Sequence, residues 1–236
     1  MSGRRERDAG SALAAELLDR LAAHADPARA EFERRYLKSE RDFLGVTVPT
    51  TRKVVRDVLR EHPELDHDEL LDVALASWEG PFLDCRRVTT ELLSQRSSLL
   101  TGSDLPILEP LIRDAETWAL VDPLAGTVAG TIVARGVDED LAAVLDRWSA
   151  DPDSYWIRRA SMLALLLSLR TSLDEWPRFC RYADSMLHEK EFFIRKAIGW
   201  VLRDTSRRWP DAVREWVEPR LDEMSGVTRR EALKYL

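Results

Sequence analysis

The sequence predicts an all-α fold built from antiparallel helix pairs, and three observations support this class. Nearly every segment places apolar residues at helical spacing, and none shows the alternation of apolar and polar residues that is typical of a strand. Helical segments of 10–18 residues are joined by connectors of 2–6 residues. An aromatic-Ile-basic-basic-Ala pattern also recurs at a spacing that fits one helix pair.

Helix start signals mark the elements of the first half of the chain. Asp26-Pro27 is an N-cap followed by proline at the first helical position, and Thr47 to Pro49 is a second start signal. The predicted helices cover Ser11 to His24, Pro27 to Leu37, Thr51 to His62, Asp66 to Trp78, Pro81 to Ser97, Asp104 to Asp114 and Thr117 to Val133.

The second half continues in the same way, and its most informative helix covers residues 189–204. The other predicted helices are Asp138 to Trp148, Asp153 to Leu169, Ser172 to Leu187, Asp211 to Leu221 and Val227 to Leu236. In the helix over 189–204, Trp200 lies between an apolar stripe and the cations Arg195, Lys196 and Arg203. This pattern is typical of a core edge with solvated charges, and it also suits the binding of a flat or anionic ligand.

An internal repeat predicts how these helices are arranged. The pattern reads Trp156-Ile157-Arg158-Arg159-Ala160 and, 37 residues later, Phe193-Ile194-Arg195-Lys196-Ala197. A basic pair recurs at Arg229-Arg230 and at Arg86-Arg87. Periods of this size are those of α-solenoids of the HEAT or armadillo type, in which equivalent positions of successive inner helices line the concave side. We therefore expect a concave basic face formed by the four basic pairs.

Composition and charge limit the classes of function. The 236 residues, 44% of them hydrophobic, suffice for a single domain over residues 1–236, with residues 1–10 expected to be disordered. No apolar run reaches the roughly 20 residues of a membrane span, and two widely separated cysteines indicate a reducing cytoplasm. The net charge is −7, yet residues 151–236 carry 16 Lys or Arg against 14 Asp or Glu, so a basic face for nucleic acid remains possible.

Most chemistries are excluded by missing motifs, and one constellation remains. The chain has no glycine-rich phosphate loop, no Gly-x-Ser-x-Gly elbow and no His-Glu-x-x-His, so neither a metal site, nor a cofactor, nor a nucleophilic triad is expected. Trp118 and Asp122 are spaced i and i+4, which places a carboxylate one helical turn from a large aromatic face. Alternatively, Asp122 before Pro123 is an N-cap, and Trp118 fills the core.

At this point the chain resembles a known family, the DNA alkylation repair glycosylases built from HEAT-like repeats. The similarity covers nearly the whole length from about Leu21. It is closest at Arg35-Tyr36-Leu37-Lys38, Phe43-Leu44-Gly45-Val46, Trp118-x-x-x-Asp122, Trp156-Ile157-Arg158-Arg159-Ala160, Glu191 to Arg203 and Arg229-Arg230-Glu231-Ala232. The block Phe-Phe-Ile-x-Lys-Ala-Ile-Gly-Trp-x-Leu-Arg at 192–203 is long and specific.

The resemblance implies a role for each matching position. Asp122 corresponds to the catalytic carboxylate, and Trp118 and Trp200 correspond to the aromatic residues that flank the lesion. Arg159 corresponds to a residue near the damaged nucleotide, and Tyr36 and Arg203 correspond to DNA-contacting positions. We expect Arg159 and Arg203, with their neighbours Arg158 and Lys196, to hold phosphates of double-stranded DNA.

The expected activity is hydrolysis of the N-glycosidic bond of purines alkylated at N3 or N7. Such a base is positively charged and leaves readily, so Asp122 need only stabilise the oxocarbenium character of the sugar and orient water. The family can act without extruding the base, which implies tolerance of bulky adducts. Thr117, Ala119 and Pro123 depart from the family pattern and leave the preferred substrate open. With no lysine beside the site, we expect a monofunctional monomeric enzyme that leaves an abasic site.

A different class of function competes with the enzyme. A HEAT-type scaffold could bind undamaged nucleic acid or a protein partner without catalysis. Release of a free alkylated base separates the two hypotheses. Convergence of Trp118, Asp122, Arg159 and Trp200 on one surface would also favour the enzyme.

Overall fold

The computed structural model describes the backbone of residues 2–236 and the side chains of residues 10–236. The helices are α1 Ser2–Ala22, α2 Pro27–Leu37, α3 Val48–Glu61, α4 His67–Trp78, α5 Leu83–Gln95, α6 Leu105–Asp114, α7 Trp118–Asp122, α8 Gly130–Val133, α9 Glu139–Ser149, α10 Tyr155–Leu163, α11 Leu166–Leu169, α12 Trp176–Met186, α13 Phe192–Ser206, α14 Pro210–Val217 and α15 Gly226–Ala232. A π-helical segment covers Pro123–Ala129, and short 3-10 turns include Glu218–Arg220 and Leu233–Tyr235. The expected disorder of residues 1–10 concerns a segment whose side chains, apart from Gly10, lie outside the described residues.

The predicted all-α class is confirmed, and most predicted helix starts are correct. Within residues 2–236 no strand forms, and the only extended pairing is an isolated bridge between Asp42 and Phe82. Asp26 caps α2 by accepting from the backbone N–H groups of Ala28 and Arg29, at 3.0 and 3.1 Å. Thr47 and Asp66 cap α3 and α4 in the same way.

One helix begins later than its apolar pattern predicts. The prediction for Ser172 to Leu187 starts four residues before α12, which begins at Trp176. Pro177 is the second residue of α12. Proline has no N–H to donate and its ring clashes with the carbonyl four residues earlier, so it is best tolerated in the first helical turn. The position of Pro177 therefore fixes where the helix can begin.

The chain divides into two compact units, Met1–Leu100 with Ala115–Pro123 and Thr101–Asp114 with Leu124–Leu236. In unit 1, helices α1, α3, α4 and α5 pack around a core that includes the fully buried Leu17, Val55 and Leu92. In unit 2, α9 and α12 both pack against α10, and α14 packs against α13. The single domain expected over residues 1–236 stays a prediction.

The internal repeat of the sequence corresponds to a stack of helices in unit 2. Helices α10, α13 and α15 carry the repeated motif, and α13 packs against both of the others. Trp156 and Phe193, which start the first two copies of the motif, contact each other with ring centroids 4.6 Å apart. The motif isoleucines Ile157 and Ile194 are completely buried. Such stacking of equivalent helices is typical of α-solenoids and confirms the predicted fold class.

The close approach of α13 and α15 depends on Gly199. A β-carbon at this position would lie 2.6 Å from the Cβ of Glu231 and 3.0 Å from the carbonyl oxygen of Thr228. We expect Gly199→Ala to lower the free energy of unfolding by about 1–3 kcal/mol, because the two helices must move apart. Urea denaturation measures this change. Gly226→Ala is the control, since a β-carbon there meets only Arg230, at 3.6 Å; equal stability of the two variants would contradict the tight contact.

Candidate functional site

The candidate catalytic pair lies on the short helix α7 of unit 1. Thr117 is the N-cap and accepts from the backbone N–H of Ala119 at 3.3 Å. Trp118 is the first residue of α7 and Asp122 is its last, so the predicted i, i+4 relation holds. The alternative that Asp122 is an N-cap is wrong, because Asp122 is itself a helical residue of α7, and the chain passes from it directly into the π-helical segment that begins at Pro123.

Pro123 explains the change of helical winding after α7. Proline cannot donate a backbone hydrogen bond, so the carbonyl of Ala119 loses its usual α-helical partner. The following residues, Pro123–Ala129, are wound as a π-helix. Local π-helical turns are frequent at functional sites because they change the direction in which nearby side chains project. Asp122 is half-buried at this transition.

Trp118 belongs to a group of exposed aromatic side chains in unit 1. Its ring is 36% exposed and meets the ring of Tyr36 edge-on, with centroids 6.3 Å apart. Tyr36, which is 62% exposed on α2, stacks in parallel on Phe32 at 6.0 Å. The structure thus brings together two of the predicted site residues, Tyr36 and Trp118.

Phe32 is a candidate functional residue that the sequence analysis missed. Its side chain is 59% exposed, although a large apolar side chain on an amphipathic helix usually faces the core. In the sequence, the i, i+4 spacing of Phe32 and Tyr36, which places both rings on one face of the helix, could have indicated this residue. Phe32, Tyr36, Val48 and Trp118 line one cavity of about 390 Å³. Concentrated exposure of apolar side chains at one cavity marks an interaction site.

Two groups of ion-paired side chains, one of them buried, contribute to the wall of this cavity. Arg87 donates to Glu33 at 3.1 Å and to Asp84 at 3.4 Å, and all three side chains are buried. Arg52 makes a two-pronged contact with Glu91, at 3.1 and 3.2 Å. Because these carboxylates and guanidinium groups satisfy one another, the cavity keeps its shape without apolar packing on every side.

The burial of Arg86 and Arg87 contradicts the expectation that this basic pair lies on a concave basic face. Arg87 is held by the carboxylates described above, and the guanidinium of the buried Arg86 lies 4.6 Å from the ring centroid of Trp78. Both arginines are therefore interior groups. By contrast, Arg229 and Arg230, another of the four predicted basic pairs, are both exposed.

Unit 2 places Arg159 against Trp200. The guanidinium carbon of Arg159 lies 5.9 Å from the ring centroid of Trp200 and also 5.9 Å from that of Phe193. Its Nη1 donates to the carbonyl oxygen of Phe193 at 2.6 Å. Arg159 is only 2% exposed and Trp200 is half-buried. The cation in this contact comes from α10, whereas the sequence pattern around Trp200 pointed to cations of its own helix.

Carboxylates compensate the other predicted phosphate-binding cations. Arg158 makes a two-pronged contact with Glu189, at 2.9 and 2.8 Å, and donates to the carbonyl oxygen of Asp151 at 2.7 Å. Lys196 and Arg203, two turns apart on α13, both contact Glu231. Any phosphate that binds these cations must therefore compete with a carboxylate of the same chain.

Glu231 is strongly bound by its cationic neighbours. Partial burial would raise the pKa of its carboxyl group, but the hydrogen bond from Lys196 and the charges of Arg203 and Lys234 outweigh that effect and hold the pKa below its ordinary value. Glu231 is therefore ionised near neutral pH, and its ion pairs make Lys196 and Arg203 less available to other anions.

Because Lys196 and Arg203 are expected to hold DNA phosphates, neutralising Glu231 is expected to strengthen DNA binding. In Glu231→Gln, Lys196 and Arg203 no longer share a carboxylate, and we expect the Kd for undamaged duplex DNA at low salt to fall by a factor of about 2–5. Fluorescence anisotropy measures this change. Glu215→Gln, an exposed position on α14, removes the same charge elsewhere in unit 2 and serves as the control. An unchanged Kd for Glu231→Gln would show that Lys196 and Arg203 do not meet DNA.

The described part of the chain has neither a metal-ligand cluster nor a helix that could span a membrane. Among side chains 10–236, no group of three or more His, Cys, Asp or Glu residues is arranged to hold a metal ion. None of the described helices is long and apolar enough to cross a bilayer. Cys85 and Cys180 are free thiols, and burial raises the pKa of both, so neither is an activated nucleophile.

Solved structures share this fold at low sequence identity. A predicted DNA alkylation repair enzyme from Enterococcus faecalis superimposes with a TM-score of 0.77 and 22% identity, over 90% of this chain and 97% of that chain. The protein smu.31 from Streptococcus mutans UA159 superimposes with a TM-score of 0.59 and 17% identity, over 80% and 98%. At these identities the likeness concerns the fold alone.

Family membership follows from the sequence itself. The comparison with curated proteins gives no match. Residues 17–236 match the sequence model of a protein family described as DNA alkylation repair enzyme. Since this match includes α2, α7, α10 and α13, which carry the candidate site residues, the chain belongs to the DNA alkylation repair enzyme family.

Proposed function

We propose that the chain is a DNA glycosylase that removes positively charged N3- or N7-alkylated purines from double-stranded DNA. The reaction hydrolyses the N-glycosidic bond and leaves an abasic site. The observation that carries the proposal is the arrangement on α7, where the exposed ring of Trp118 lies one helical turn from the carboxylate of Asp122 and against Tyr36. Membership of a DNA alkylation repair family supports DNA as the substrate.

The chemistry needs little more than charge stabilisation. A purine alkylated at N3 or N7 carries a positive charge, so it departs without a strong general acid. The sugar then acquires oxocarbenium character, and the Asp122 carboxylate stabilises that cation and orients the attacking water. Among the described residues that line the cavity beside Trp118, none is a lysine, which supports a monofunctional enzyme rather than one acting through a Schiff base.

Aromatic faces favour charged lesions over neutral bases. Trp118 offers an exposed π face in unit 1, and in unit 2 Arg159 holds Trp200 in place. A cationic base or sugar near such a face gains about 0.5–2 kcal/mol, a gain that neutral bases lack. The lesion stays in the base stack, as the family resemblance implies, and the aromatic side chains contact it from outside.

The basic residues of unit 2 hold the DNA backbone. Arg158, Lys196 and Arg203 exchange their carboxylate partners for phosphates, while the buried Arg159 acts mainly through its charge and its contact with Trp200. Binding therefore weakens as salt is raised. The free thiols Cys85 and Cys180 agree with action in the reducing cytoplasm.

The test is release of free base from alkylated DNA. The wild-type chain is incubated with one duplex that carries N3-methyladenine, N7-methylguanine or a large N3-adenine adduct, and the released base is quantified. Release of at least one of these purines supports the proposal. The cavity of about 390 Å³ beside Trp118 has room for a large substituent, which favours including the bulky adduct. Tight DNA binding without release of any base would instead favour a non-catalytic scaffold.

A further inference from the structure

Two exposed cations, Arg207 and Lys234, flank the ring of Tyr235. We call Arg207, Lys234 and Tyr235 the Tyr235 cluster. The Nη2 of Arg207 donates to the Tyr235 hydroxyl at 2.8 Å, and its guanidinium carbon lies 4.5 Å from the centre of the phenol ring. The Nζ of Lys234 lies 5.7 Å from the same ring centre. The Arg207 and Lys234 side chains are exposed, and Tyr235 is 43% exposed.

Cations gather around Glu231 and Tyr235, although the whole chain carries a net charge of −7. Lys196, Arg203 and Lys234 lie close to the Glu231 carboxylate, and Arg203, Arg207 and Lys234 lie close to the Tyr235 phenol. The hydrogen bond from Arg207, together with the charges of Arg207, Lys234 and Arg203, holds the pKa of Tyr235 below its usual range despite some desolvation. The phenol thus experiences a positive potential.

We propose that the Tyr235 cluster binds a phosphate group of the DNA backbone, an inference that rests on the proposed function only in taking DNA as the ligand. Arg207 presents a planar fork of donors, and Lys234 adds a mobile point charge. The Tyr235 hydroxyl accepts from Arg207 and donates its own proton to a phosphate oxygen. Because Glu231 is engaged with Lys196 and Arg203, Arg207 and Lys234 attract an external anion most strongly.

Salt dependence of binding tests the cluster directly. The full-length chain is titrated onto an undamaged 20-base-pair duplex at 50–200 mM NaCl, and the logarithm of the binding constant is plotted against the logarithm of salt concentration. A phosphate contact contributes about 0.9 to the steepness of this plot, so Arg207→Ala and Lys234→Ala should each reduce it by about 0.9. Arg214→Ala is the matched control, since it removes one exposed cation of unit 2 that is paired with Asp211. Its slope should equal that of the wild type.

A second variant isolates the hydroxyl group. Tyr235→Phe keeps every charge and the aromatic ring, so the slope should stay unchanged while the Kd at 100 mM NaCl rises roughly three- to tenfold. Unchanged slopes for both Arg207→Ala and Lys234→Ala overturn the proposal. The assignment to DNA is overturned if Arg207→Ala and Lys234→Ala reduce the salt slope equally when a phosphorylated peptide replaces the duplex.

The test of the Tyr235 cluster and the test of glycosylase activity can fail independently of each other. The duplex is undamaged, so binding is measured without any chemistry. Base release by the wild type together with unchanged slopes would refute the Tyr235 cluster alone. Reduced slopes in a chain that releases no base would refute the glycosylase alone.

Discussion

Replacing Asp122 with asparagine is expected to lower the rate of base release at least about 100-fold while leaving the affinity for DNA unchanged. The side chains have the same shape, but the amide has no charge to place against the oxocarbenium ion. Loss of one preorganised electrostatic contact to a developing charge typically costs a factor of about 10²–10³ in rate. The effect falls on chemistry rather than on binding, because Asp122 contributes no positive charge toward the phosphates.

Single-turnover release of the base from a duplex with one alkylpurine measures this change, and anisotropy measures the affinity in parallel. Glu116→Gln is the matched control, because it neutralises a carboxylate six residues earlier that is exposed and pairs with Arg41 at 3.5 Å. Its rate should equal that of the wild type. Full activity of Asp122→Asn would remove Asp122 from the role we assign to it.

The largest effect on stability is expected for Asp84→Ala. The Asp84 carboxylate is completely buried and accepts from the backbone N–H groups of Leu44 and Val46, at 2.8 and 3.0 Å, and from Arg87 at 3.4 Å. Removing it leaves two N–H groups, one of them buried, without their acceptor and weakens the compensation of a buried cation. The free energy of unfolding should fall by about 3–5 kcal/mol.

Urea unfolding monitored by circular dichroism measures this loss. Asp211→Asn, at a highly exposed carboxylate paired with Arg214, should leave the unfolding midpoint unchanged. The result bears on the site, because Asp84 fixes the segment that leads into α3, where Val48 lines the cavity beside Trp118. Equal stability of Asp84→Ala and the wild type would show that this segment is held in another way.

Several features of the fold and site were predictable from local sequence because their causes are local. Asp26, Thr47 and Asp66 cap their helices as expected, since a cap involves residues two or three positions apart. The i, i+4 relation of Trp118 and Asp122 follows from helical geometry alone. The repeat at 156–160 and 193–197 likewise predicted that α10 and α13 are equivalent neighbours.

What a side chain meets depended on residues distant in sequence. Arg87 is buried because Glu33, 54 residues earlier, compensates its charge, whereas a basic pair in the sequence suggested an exposed cation. Lys196 and Arg203 share Glu231, which lies 35 and 28 residues later, and Arg159 reaches Trp200 from another helix.

The sequence by itself therefore determined the all-α class, most helix starts and the family, since backbone hydrogen bonding and apolar periodicity act over a few residues. Only the tertiary structure decided which arginines are interior, which aromatic side chains gather at the cavity beside Trp118 and which cations surround Tyr235. Burial and charge compensation are set by helix packing, and packing joins residues that local sequence patterns cannot pair.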